Sequence, residues 1–156
     1  MTKNCLTPFL TLSLLALAVL AAATPAPAQT LSTLHSFDAT ATDGSSPIGG
    51  LIFDSSGNLY STTSDGGTYG FGVVFKLSPR AGGGWSEEIL HAFNNSTSDG
   101  GLPYGNLAFD ASGNLYGTTV DGGAYSSGTV FELSPKAGGA WAERTIHSFN
   151  GQTLDG

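Results

Sequence analysis

Three histidines, His35, His91 and His147, recur in this sequence at a spacing of 56 residues. Neutral imidazole is a common metal ligand, so the trio raises the question of a metal site. The spacing argues against a shared ion, because equivalent positions in successive repeats lie a whole unit apart. A structural imidazole, hydrogen-bonded at a strand end, is expected instead, with no bound metal or other cofactor. Two pairs of acids recur with the same period, Asp54 with Asp110 and Asp65 with Asp121. Calcium takes six to eight oxygens, more than the string Asp54-Ser55-Ser56-Gly57-Asn58 supplies. An acid–base pair needs two carboxylates in distinct environments, whereas repeat-equivalent acids share one. Capping of a turn by Asp54 and Asp110 is expected, with Gly57 and Gly113 at positive φ. Tyr69 and Tyr125 fall in Gly-rich loops and are the candidate ligand contacts. Trp85 and Trp141 open strands after Gly-rich turns, where packing between units is expected. The chain has no Gly-x-Ser-x-Gly, no His-Glu-x-x-His and no phosphate-binding loop, so no catalytic residue is assigned.

The elements that must position these residues come from an internal repeat. Asp43–Ser98 aligns with Asp99–Leu154 without a gap, and 33 of 56 positions are identical. Leu34-His35-Ser36-Phe37 is the tail of an earlier copy, and Asp155-Gly156 opens a further one. Within one repeat, Asn106–Asp110 is predicted as a first strand, closed by the turn Ala111-Ser112-Gly113. Asn114–Thr119 returns as the second strand, Asp121–Gly128 is a loop, and Thr129–Leu133 is the third strand. Thr129, Phe131 and Leu133 share one face of it. Trp141–Phe149 is the fourth, bulky on both faces. Four antiparallel strands in this length make one blade-sized unit. The expected fold is all-β, with antiparallel four-stranded repeat units like the blades of a β-propeller in an incomplete ring. A β-solenoid-like stack is the alternative.

The first 28 residues have the order of a secretory signal peptide. Lys3 precedes an uncharged apolar run, Leu6–Ala23, and Ala26 and Ala28 suit cleavage before Gln29. A membrane anchor is the competing reading of that run. The organisation is then a signal peptide over 1–28, a partial repeat over 29–42 with a strand at Thr30–Phe37, repeats at 43–98 and 99–154, and a new start at 155–156. Loss of Lys3 leaves four basic against twelve acidic residues, a net charge of −8. A nucleic-acid partner is excluded for want of a basic footprint, and an anionic membrane surface is disfavoured for the same reason. Cys5 lies before the apolar run, so the mature chain has no cysteine and packing alone must hold it together.

Three strings carry a resemblance to a known family: Phe109-Asp-Ala-Ser-Gly-Asn-Leu-Tyr-Gly-Thr-Thr119, Gly128-Thr-Val-Phe-Glu-Leu-Ser-Pro135 and Ile146-His-Ser-Phe149. Together they resemble the GloVer repeat of Gloeobacter and Verrucomicrobia. The resemblance implies an exported bacterial protein of propeller-like fold and carries over no catalytic residue. The expected function is that of a secreted, extracellular or cell-surface scaffold that binds glycan or protein through its loops. The alternatives are an extracellular propeller-type enzyme, a lyase or glycan hydrolase, and a fragment of a longer propeller. An enzyme needs non-equivalent polar residues that break the repeat, whereas the swaps here are of the kind Ser61 for Gly117 or Lys76 for Glu132. Nine strands, one plus four plus four, leave blade faces open, so self-association is expected.

Overall fold

The computed structural model describes residues 29–38, 40 and 42–152. The segments expected to be a signal peptide (1–28) and a new repeat start (155–156) lie outside the described residues. No helix among the described residues is long and apolar enough to cross a membrane.

Each repeat folds into one antiparallel sheet. In repeat 1 the strands are β1 (Gly44–Pro47), β2 (Ile52–Phe53), β3 (Leu59–Gly66), β4 (Val73–Pro79) and β5 (Trp85–Ala92). In repeat 2 they are β6 (Gly100–Pro103), β7 (Ala108–Phe109), β8 (Leu115–Gly122), β9 (Thr129–Pro135) and β10 (Trp141–Ser148). β6 and β7 both pair with β8, one with Asp121 and Gly122, the other with Leu115 and Tyr116. They form one edge strand broken in two, so the sheet is four strands wide, in the order β6/β7, β8, β9, β10. The fold is therefore all-β, with blade-like four-stranded repeat units.

Three features differ from the expectation. The described residues hold ten strands, because each repeat has an extra short one, β1 or β6. Gly100-Gly101-Leu102-Pro103 has no alternating pattern to predict a strand, yet it pairs with β8, and its Pro lies on the edge strand, where a missing N–H is tolerated. Ser46 and Leu102 have φ of 57° and 55°, and the ladder skips them. Second, Thr30–Phe37 carries no strand. No ladder partner faces it among the described residues; His35 and Phe37 reach repeat 1 through side-chain contacts with Asp43, Glu87 and Phe75. Third, β5 and β10 each carry a bulge. Leu90 and Ile146 have no partner on the neighbouring strand, so the alternation of faces resets there.

The sheets stack through a shared core. One face of repeat 1 presents Tyr60, Val74 and Leu90, and these pack on Leu107, Leu115, Phe131 and Leu133 of repeat 2. Trp141 packs against this cluster, 6.3 Å from the ring of Tyr60. The opposite face of repeat 1 holds Leu59, Val73, Phe75 and Leu77, with Phe37 and Trp85 against them. Burial of these large side chains on both faces of one sheet supplies stability that no disulfide within the repeats could, since residues 29–156 contain no cysteine.

Candidate functional site

Two kinds of site repeat through the sheets, a saturated Asp turn and a His–carboxylate cluster at each seam. The turn lies between β2 and β3, and again between β7 and β8. Asp54 Oδ1 accepts from the backbone N–H groups of Ser56 and Asn58 at 2.8 and 2.9 Å. Its Oδ2 accepts from Asn58 Nδ2 at 2.7 Å and from the Tyr60 hydroxyl at 3.0 Å. Asp110 makes the same four bonds with Ser112, Asn114 and Tyr116. Four donors fill both oxygens, which leaves these carboxylates little to offer an ion or a proton. Gly57 and Gly113 have φ of 81° and 83°, and open space surrounds both.

The donors also set the acidity. Asn114 and its neighbours hold the Asp110 carboxyl below its ordinary value. Burial pushes Asp54 up, but the bonds from Asn58, Tyr60 and Ser56 outweigh it, and the net shift is downward. A carboxyl held low in the folded state stabilises above its unfolded pKa, and that contribution fades as pH falls through the folded value. Acid titration of stability should therefore show a loss as pH falls through and below the ordinary carboxylate range. Asp54→Asn with Asp110→Asn should flatten that slope and lower stability at neutral pH. An unchanged slope would show that the turns do not discriminate between folded and unfolded chains.

The clusters lie where one repeat joins the next. His35 Nε2 is 3.3 Å from both carboxylate oxygens of Asp43 and 3.6 Å from Glu87 Oε2. Asp43 stands just before β1, and Glu87 lies on β5. His91, at the end of β5, repeats the geometry: its Nε2 is 3.1 and 3.2 Å from the oxygens of Asp99, and Glu143 of β10 completes the group. Each Asp also accepts from backbone, Asp43 from Asp38 and Gly44 and Asp99 from Asn94 and Gly100. The imidazoles are held edge-on by Phe37 and Phe93, at ring separations of 4.6 and 4.7 Å. Burial pushes the Glu87 carboxyl up to about 7, with the Asp43 charge adding to it and His35 opposing. Glu143 is raised in the same sense, by burial and then by Asp99.

The structure keeps the three histidines apart: His35 and His91 stand at the two seams, and His147 lies exposed at the end of β10, in neither cluster. Asp43, Asp99, Glu87 and Glu143 were not singled out from the sequence. The signal was there in the spacing: Asp follows His by eight residues at His35 and His91, and Glu precedes His by four at His91 and His147. The other candidates are dispersed. Asp65 accepts from the Ser64 hydroxyl, and Asp121 from Asn95 and the backbone of Gly122. Trp85 and Trp141 are half-buried packing residues. Tyr69 and Tyr125 are 57% and 63% exposed, against 2% and 0% for Phe75 and Phe131.

A model of the Gloeobacter/Verrucomicrobia repeat matches residues 19–156. No curated protein and no solved structure matches the chain. The match spans both sheets and both seams, and the chain belongs to the Gloeobacter/Verrucomicrobia repeat family.

Proposed function

We propose that this is a secreted bacterial scaffold of propeller-type blades that binds glycan or protein through the loops at one edge of its sheets. The observation that carries the reading is the exposure of Tyr69 and Tyr125 at the same place in consecutive repeats. Each ring stands on a short loop, Tyr69 between β3 and β4 and Tyr125 between β8 and β9. The loops are tied by backbone bonds, Gly70 to Gly67 and Gly72 to Gly66 in one, Ser126 to Gly123 and Gly128 to Gly122 in the other. A tethered loop loses less entropy on binding, and Tyr offers a large rigid face with a polar tip. Two such rings, one per repeat, suit a polymer with its own repeat. Self-association through open sheet faces belongs to the same proposal.

Retention on peptidoglycan sacculi, chitin and cellulose tests the reading. Wild type should be retained on at least one matrix. Tyr69→Ala with Tyr125→Ala should lower retention at least about tenfold, the loss expected when an aromatic anchor worth more than 1 kcal/mol is removed. Equal retention of the double variant would remove the tyrosines from the site. No retention on any matrix would leave a protein surface as the ligand class.

A further inference from the structure

We infer that the cluster of His35, Asp43 and Glu87, and its repeat of His91, Asp99 and Glu143, are zinc sites that clasp one repeat to the next. The ligand set is one imidazole nitrogen and two carboxylates, and all the potential ligand atoms lie within 4.8 Å of one another. Zinc binds such atoms at about 2.0–2.2 Å, so two ligands of a tetrahedral ion stand about 3.3–3.6 Å apart. The first cluster shows 3.3 Å between His35 and Asp43 and 3.6 Å between His35 and Glu87. Three protein ligands leave a fourth position for water.

Two further observations point to a cation. Glu87 Oε1 is buried and has no hydrogen-bond partner. In the second cluster the Thr145 hydroxyl donates to Glu143 Oε1 at 3.3 Å, but Ile89 stands at the equivalent place in the first and has nothing to donate. A buried carboxylate oxygen without a partner is costly, and a coordinating ion supplies the missing contact. Charge points the same way. In the protonation state that binds metal, two ionised carboxylates and a neutral imidazole, each cluster sums to −2, which a divalent ion cancels. Calcium and magnesium fit poorly, since both prefer six or more oxygens. The spacing argument against metal weighed the histidines against one another, whereas the partners of each are carboxylates.

The test uses residues 29–156, which contain the compact body at 33–156. Zinc is added, excess is removed by dialysis, and retained metal is measured beside thermal melting. Two zinc ions per chain are expected, with a higher melting temperature that calcium or magnesium does not reproduce. Glu87→Gln, isosteric and neutral, should lose one ion, and Glu143→Gln the other. His147→Ala, a change at an exposed histidine outside both clusters, should keep both. No retained zinc and no zinc-dependent shift would overturn the inference and identify the clusters as His–carboxylate bridges. Unchanged stoichiometry in the double Glu variant would overturn it as well.

Discussion

Purified residues 29–156 are expected to self-associate, and Val120→Asp with Ile146→Asp is expected to return them to monomers. The reason lies in one comparison within the chain. Leu90 is 8% exposed where repeat 1 packs on repeat 2, while its equivalent Ile146 is 45% exposed. Ser64 is buried at that interface, while its equivalent Val120 is exposed. Tyr116 and Val130 are less buried than Tyr60 and Val74. Repeat 2 thus presents an apolar copy of the face that repeat 1 buries. A capping repeat carries a polar outer face, whereas repeat 2 presents exposed Val120 where repeat 1 has Ser64. On the other side, Leu51 is 54% exposed and its equivalent Leu107 is 4% exposed. Leu34, Phe37, Leu51, Phe75 and Leu77 line a groove of about 250 Å³ there. Covering a half-exposed aliphatic side chain stabilises by about 1 kcal/mol. Association costs about 4–15 kcal/mol, so the whole face must take part, and two buried charges should suffice to break it. Head-to-tail contacts of this kind form rings or filaments. Light scattering decides: a monodisperse wild-type monomer with a sharp melt would mean that two repeats bury enough core alone, and association of the double variant would place the contact elsewhere.

The long strands were legible because alternation writes itself into the residues. Thr129, Phe131 and Leu133 read as one face, and all three are fully buried. The short edge strand β6 was not legible, since Gly-Gly-Leu-Pro has no alternation and Pro signals a loop. Its pairing depends on β8, which no local pattern reveals. The bulges at Leu90 and Ile146 were invisible for a similar reason. A bulge is a property of two strands, and the sequence shows one at a time. The Asp turn was legible because its bonds are local, between residues two to six apart. The His–Asp–Glu clusters joined residues up to 52 apart, from His35 to Glu87, and took shape only once the sheets were stacked.

Gly128→Ala is expected to be among the most damaging of the glycine substitutions, and Gly113→Ala among the mildest. Both residues have positive φ, 91° and 83°, so each Ala carries the backbone penalty, about 1–2 kcal/mol. They differ in what surrounds them. A Cβ on Gly113 meets nothing within 4 Å. A Cβ on Gly128 falls 2.3 Å from the carbonyl oxygen of Thr119 and 3.2 Å from its carbonyl carbon. Those atoms are backbone in β8, so no side chain can swing aside. Either β8 or the loop must shift, and both are tied. Gly128 N–H donates to the Gly122 carbonyl, and its own carbonyl accepts from Phe149 N–H at the end of β10. Movement therefore disturbs three strands at once. The expected cost is roughly 3 kcal/mol or more, against about 1 kcal/mol for Gly113→Ala. On a total of about 5–15 kcal/mol the first is a large fraction and the second is not. Gly72→Ala should behave like Gly128→Ala, since its Cβ falls 2.3 Å from the carbonyl oxygen of Thr63. Thermal melts of the three variants, made in the monomeric Val120→Asp, Ile146→Asp background, separate folding from association. Equal losses at Gly113 and Gly128 would show that φ alone governs, and that the close approach of Gly128 to β8 relaxes at no cost.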